Sequence, residues 1–205
     1  MLIVGLTGSI GMGKSTAAAH LRARGLPVFD ADAEVHRIYA GGKAVERIER
    51  AFPGTTTAAG VDRARLSAAI VAHPERLREL EAIVHPLVRE AERSFLRAAA
   101  RQGIPVAVLE IPLLFETGAD KLVDAVIVLS APEEIQRARL GKRAGMTPEK
   151  MQSLLARQMP DAQKRARADF VVDTGGEIAA SQAQLDRIIA ALASWQGQAY
   201  ARVWA

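Results

Sequence analysis

The chain has 205 residues, 49% apolar and 24% charged, enough hydrophobic material for a sizeable buried core under a charged surface. It has no cysteine, which excludes a disulfide framework, a thiolate zinc site and a thiol nucleophile. No apolar run approaches the ~18 residues of a membrane span, and the short N-terminal run lacks the basic leader of a signal peptide, so a cytoplasmic protein without a membrane partner is expected.

Taken in order, the chain opens on the apolar run Leu2-Ile3-Val4-Gly5-Leu6, which predicts a buried strand. Directly after it comes Gly8-Ser9-Ile10-Gly11-Met12-Gly13-Lys14-Ser15, which fits Gly, four free positions, then Gly-Lys-Ser/Thr. Glycines let a backbone turn tightly and bring N–H groups up to phosphate oxygens, where a Cβ would intrude. Ser15 and Thr16 then open a helix running to about Arg24, stopped by Gly25, whose positive end favours the same anion. Gly11, Met12, Gly13, Lys14, Ser15 and Thr16 are therefore the expected nucleotide contacts, with Lys14 reaching the β- and γ-phosphates and the Ser15 hydroxyl ligating Mg²⁺.

A second short strand, Pro27-Val28-Phe29, ends in Asp30-Ala31-Asp32. Read as strand residues two apart, Asp30 and Asp32 share a face. Asp32 is the candidate base for an acceptor hydroxyl, and Asp30 a partner or a holder of Mg²⁺-bound water; either could instead cap the helix that follows. Residues 33–102 then carry apolar positions at helical spacing, with breaks at Gly41-Gly42, Pro53-Gly54, His73-Pro74 and His85-Pro86 and no convincing strand. They read as a helical insertion, least structured over residues 55–60. Strands resume over residues 105–110 and 125–129, and Phe170-Val171-Val172 is the last. Thr147-Pro148 is a good helix start, residues 184–195 form a closing helix, and residues 196–205 read as a tail. The alternation implies an α/β fold: a parallel sheet of about five strands with helices on both faces. The carboxyl ends of its strands, bearing the Gly-rich loop, Asp30 to Asp32 and Glu110 to Pro112, are expected to converge on one crevice.

The net charge of +4 gathers in Arg137, Arg139, Lys142, Arg143, Lys150, Arg157, Lys164, Arg165 and Arg167. Without aromatic residues interleaved for base stacking, this block argues for a lid over phosphates, or a solvated helix face, and against a nucleic-acid partner.

These parts suit a phosphate-loop NTPase fold used as a small-molecule kinase, which needs an acceptor base, a substrate-binding insertion and an arginine-bearing lid. The loop with Val28-Phe29-Asp30-Ala31-Asp32, Ile83-Val84-His85-Pro86-Leu87-Val88-Arg89 and Pro112-Leu113-Leu114-Phe115-Glu116 resembles the dephospho-coenzyme A kinases. The likeness continues through Arg139, Arg143, Gly145-Met146-Thr147 and Gln158 to Ala168-Asp169-Phe170-Val171-Val172. It implies transfer of the ATP γ-phosphate to the ribose 3′-hydroxyl of dephospho-coenzyme A, with ATP and Mg²⁺ as cofactors, in a monomer or small homo-oligomer. It also implies a nucleotide core (1–32, 103–138 and 166–195), an acceptor-binding insertion (33–102) and a lid (139–165). On this likeness Asp32, Lys14 and Arg139 are catalytic, and Arg139 and Arg143 meet ATP phosphates. Asp32, His85, Arg89, Leu113 and Glu116 line the acceptor, and Asp30 or Glu110 reaches the metal through water. His85 could serve only to shape its helix, and Gln158 could be a solvated residue at a helix end. Two positions depart from the family pattern: Glu110 stands where an Asp is common, and Thr174-Gly175 where Asn-Gly is common. A shikimate-like kinase and a nucleotide-dependent regulatory module are the alternatives.

Overall fold

The computed structural model describes all 205 residues. In chain order, β1 (Leu2–Thr7) leads through the Gly-rich loop to α1 (Lys14–Ala23) and β2 (Val28–Asp30). Then come α2 (Ala31–Tyr39), α3 (Lys43–Ala51), β3 (Thr56–Thr57), β4 (Gly60–Val61), α4 (Arg63–Ala72) and the long α5 (Leu77–Arg101). β5 (Val106–Glu110), β6 (Ala125–Ser130), α6 (Glu133–Gly141), α7 (Pro148–Ala156), α8 (Asp161–Ala166), β7 (Phe170–Asp173) and α9 (Ile178–Leu192) complete the chain, with a π-helical turn at Tyr200–Trp204. No helix is long and apolar enough to cross a membrane.

Two compact units result, residues 1–29 with 96–205, and residues 30–95. The first is an α/β unit on a five-stranded parallel sheet ordered β2-β5-β1-β6-β7. β1 is the middle strand and is buried along its whole length, as its unbroken apolar run requires. It pairs with β5, Leu6 opposite Glu110, and with β6, Thr7 opposite Val128. Strand alternation sends Leu2, Val4 and Leu6 into one cluster with Ala17, Ala18 and Leu21 of α1 and Leu185 and Leu192 of α9. On the other face Gly5 leaves room for Leu114 and Val123, which a Cβ there would approach to 3.1–3.3 Å.

The second unit buries its own cluster, Ile48, Phe52, Leu66, Leu80 and Val84. Three expectations about the insertion and the tail need correction, two of them in this unit. The insertion contains a strand pair after all: β3 and β4 form an antiparallel hairpin, Thr56 opposite Val61. Glu49 organises it, accepting from Gly54 N at 2.7 Å, Thr56 N at 3.1 Å and the Thr56 hydroxyl at 2.7 Å. Those donors hold its carboxyl below the usual range. Nor does His85-Pro86 break a helix: Pro86 lies inside α5, exposed, where a lost N–H bond and a ring clash are most easily accommodated by a bend toward solvent. The third correction is the tail. Gln198 N and Ala199 N both donate to Asp124 Oδ1 at 2.7 Å, and Trp204, fully buried, donates from Nε1 to Leu122 O at 2.8 Å.

Candidate functional site

The Gly-rich loop leaves β1 at the carboxyl edge of the sheet. At Gly8 a Cβ would fall 2.6 Å from Leu129 O, closer than any side chain tolerates. Gly13 is the N-cap of α1 at φ 82°, a left-handed position, and offers no side chain to cap the helix. The first-turn N–H groups of α1 are therefore left for an anion. Lys14 folds along the loop, Nζ donating to Gly8 O at 2.7 Å and Ser9 O at 3.2 Å, which keeps its charge beside those N–H groups. Ser15 and Thr16 are exposed at the start of the helix.

Arg139 reaches this loop from α6. Its guanidinium donates to Thr174 O, and at 3.4 Å to both Gly11 O and Thr174 Oγ1. Thr174 is buried, and its hydroxyl lies 3.1 Å from both Met12 O and Ser130 O. Thr174 thus ties the loop, the end of β6 and Arg139 together. Arg143, just past α6, is exposed.

Two glutamines grip one loop residue. Gln136 Nε2 donates to Ile10 O at 2.7 Å, and Ile10 N donates to Gln158 Oε1 at 2.9 Å. Gln158 is therefore no solvated helix-end residue. Next to it, Met159 N donates to Glu116 Oε1 at 2.7 Å, and Lys164 Nζ lies 2.9 Å from the same oxygen and 3.2 Å from Pro112 O. Burial would raise the Glu116 carboxyl, but the Lys164 ammonium and the Met159 N–H together hold it below the usual range. Leu113 is exposed, and Glu110 is buried at the carboxyl end of β5. A cleft of about 440 Å³ bounded by Ser130, Pro132, Asp161 and Asp173 lies beside these residues, and no loop residue lines it.

The remaining candidates belong to the second unit. β2 ends at Asp30, so Asp30 and Asp32 are not two strand residues on one face. Asp30 is the N-cap of α2, its carboxylate accepting from Ala33 N at 2.9 Å, while Asp32 sits in the first turn of that helix. His85 is exposed on α5. Arg89 lies 2.9 Å from Glu92 one turn on. Glu92 is only 3% exposed, and burial pushes its carboxyl up to about 7 against the opposing pull of Arg89.

Gln136, Lys164 and Glu92 are absent from the sequence-level site. Gln136 and Glu92 carry no motif signal, and Lys164 is indistinguishable in sequence from its solvated basic neighbours.

A parallel sheet whose middle strand delivers a phosphate loop, with an arginine from a later helix laid on that loop, defines a phosphate-loop kinase. Solved relatives agree. A Thermus thermophilus structure superposes with a TM-score of 0.80 at 38% identity, covering 93% of this chain and 97% of its own. A Campylobacter jejuni dephospho-CoA kinase gives 0.69 at 25% identity over 93% and 96%. A shikimate kinase from Acinetobacter baumannii, at 17% identity and a TM-score of 0.51, shares the fold alone. The family model for dephospho-CoA kinase matches residues 2–180, and the chain belongs to that family. Among curated relatives, a dephospho-CoA kinase of Rhodopseudomonas palustris is 54% identical over 193 residues, 94% of this chain and 96% of its own length. One from Brucella melitensis is 52% identical over 192 residues, again 94% and 96%.

Proposed function

We propose that this chain transfers the γ-phosphoryl group of ATP to the ribose 3′-hydroxyl of dephospho-CoA, giving CoA and ADP. The observation that carries the reading is the loop itself: glycine-built, joined to an uncapped helix, with Lys14 along it and Arg139 on Gly11 O. Every group there favours a polyphosphate. The acceptor oxygen forms a bond to the γ-phosphorus while the bond to the bridging oxygen breaks and ADP leaves. Asp32 takes the hydroxyl proton late, because a loose transition state asks little of a base. Lys14 and Arg139 neutralise charge on the transferring group, and positioning supplies much of the rate. Arg89 and His85 are the acceptor contacts proposed on the helical unit, with Leu113 from the first.

The residues fit Mg²⁺ carried on the nucleotide. No group of three or more His, Cys, Asp or Glu is placed to cage a metal, whereas a phosphate-borne Mg²⁺ needs few protein oxygens and the exposed Ser15 hydroxyl offers one. When bound it would offset the negative charge of the phosphates.

The test is ADP release from Mg·ATP with dephospho-CoA, shikimate, AMP or no acceptor, with product identified by mass. Turnover confined to dephospho-CoA, with CoA formed, is expected. Turnover with another acceptor and not this one would overturn the assignment. Because the carboxylate also holds the hydroxyl in line, Asp32→Asn is expected to lower turnover by about a hundredfold with ATP binding retained; near-parental turnover would remove Asp32 from the role of base.

A further inference from the structure

Lys164 is a lysine with no solvent exposure whose charge the reaction does not use. A buried ammonium is costly unless compensated, so its partners show what it holds in place. They are Glu116 Oε1 at 2.9 Å and Pro112 O at 3.2 Å, and the Thr7 hydroxyl, at the end of β1, also donates to Pro112 O at 3.1 Å. Glu116 Oε1 in turn accepts from Met159 N at 2.7 Å. The residue before Met159 is Gln158, the acceptor for Ile10 N. The contacts run without a gap from a buried cation to the backbone of the phosphate loop.

Ile10 is also held through its carbonyl, by Gln136. Gln136 lies on α6 just before the expected lid, and Gln158 lies within it, two residues beyond α7. One loop residue is thereby fastened through its C=O to the helix that leads into the lid and through its N–H to the lid segment itself.

We propose that Lys164 and Glu116 are positioning residues for nucleotide binding: the ion pair fixes the backbone at Met159, which sets Gln158 to hold Ile10 and so shapes the phosphate loop. The inference builds on the ATP-dependent reading above and gives Glu116 a task on the nucleotide side. Contact with the acceptor, the role the family likeness implies for Glu116, makes the opposite forecast: its loss raises KM for the acceptor and leaves ATP alone. Loss of the clamp raises KM and Kd for ATP and leaves the acceptor alone.

The experiment measures Mg·ATP Kd by calorimetry, with KM for each substrate, in the full chain and in Gln158→Ala, Glu116→Ala, Glu116→Gln and the double variant Glu116→Ala/Gln158→Ala. Losing the Gln158 bond is expected to weaken ATP about five-fold, the scale of one hydrogen bond. Glu116→Ala should match it, Glu116→Gln should recover part of the affinity because an oxygen still faces Met159 N while the charge that pairs with Lys164 is lost, and the double variant should be no weaker than either single one. A structural role alone would lower Tm without this pattern. Unchanged ATP affinity in Gln158→Ala, additive losses in the double variant, or a rise confined to acceptor KM would overturn the proposal. Lys164→Met is a further arm, and its failure to fold leaves the other four to decide. Because Kd is read without an acceptor, parental protein that binds ATP but ignores dephospho-CoA refutes the acceptor assignment and leaves the clamp to be judged.

Discussion

A hydroxyl with one proton and two carbonyls to serve is a sensitive place to make a substitution. Thr174 Oγ1 lies 3.1 Å from both Met12 O and Ser130 O and also accepts from Arg139, so Thr174→Val keeps the shape and removes every one of those bonds. Ser130 O keeps its bond from Thr174 N at 2.8 Å, so the cost is that of the hydroxyl's own hydrogen bonds, about 0.5–1.5 kcal/mol each. We expect a lower Tm together with weaker ATP binding, because the loop and Arg139 lose the same support; a lower Tm with unchanged ATP affinity would confine Thr174 to stability. Glu92 offers a different handle. Its carboxyl holds a proton up to about pH 7 in the folded chain, against 4.5 for an unperturbed glutamate. Between those values the folded state binds more protons than the unfolded, so stability falls as pH rises through that window. Glu92→Gln removes the ionisation. Its Tm relative to the parent should be higher at pH 8 than at pH 5, and a pH-independent difference would show that Glu92 titrates normally.

At the scale of elements, what was legible in the sequence was what local pattern encodes. The buried run of β1, the glycine spacing after it and the Thr147 cap of α7 each lie within a few residues and specify their own geometry. The β3–β4 hairpin was not legible, since strands of two residues have no period to read and their organiser, Glu49, lies in the preceding helix. The shared strand face of Asp30 and Asp32 fails because a strand ending one residue after Phe29 turns the second acid into a helix residue and leaves Asp30 as that helix's cap, the alternative reading. In sequence Lys164 is one of a basic block and Gln158 reads equally well as a solvated helix-end residue, because a partner more than forty residues away, such as Glu116 for Lys164, leaves no trace in local composition. The C-terminal segment failed for the same reason. Its anchors are Asp124 and Leu122 O, and Asp124 Oδ2 also accepts from Ile3 N at 2.8 Å. That places the segment at the amino end of β1, away from the phosphate loop. Trp204→Ala should therefore cost about 3–5 kcal/mol, measured by denaturant unfolding, with ATP affinity unchanged. A parallel loss of ATP binding would mean that the two ends of β1 are coupled.

For the molecule as a whole, the decisive feature is that residues 30–95 bury a hydrophobic cluster of their own. Leu6, Ala18, Ile127 and Leu185 belong to the α/β unit, and Ile48, Phe52, Leu66 and Leu80 to residues 30–95. The side chains that meet nucleotide phosphates in the proposed reaction all stand on the first, whereas Asp32, His85 and Arg89 stand on the second. Damage to one core should therefore separate the two substrates. Phe52 is 2% exposed, and its ring carries the Arg76 guanidinium 4.4 Å from the centroid. Phe52→Ala removes a large buried ring and a cation–π partner, a loss of about 3–5 kcal/mol in that unit. Hydrogen exchange should then rise across residues 30–95 while the amides of β1, β5 and β6 stay protected. Mg·ATP Kd should stay within about two-fold of the parent, and turnover with dephospho-CoA should fall at least about ten-fold, because the base and the acceptor contacts lose their scaffold. Equal loss of protection in both units, with ATP binding failing alongside turnover, would mean that the two clusters unfold as one cooperative core.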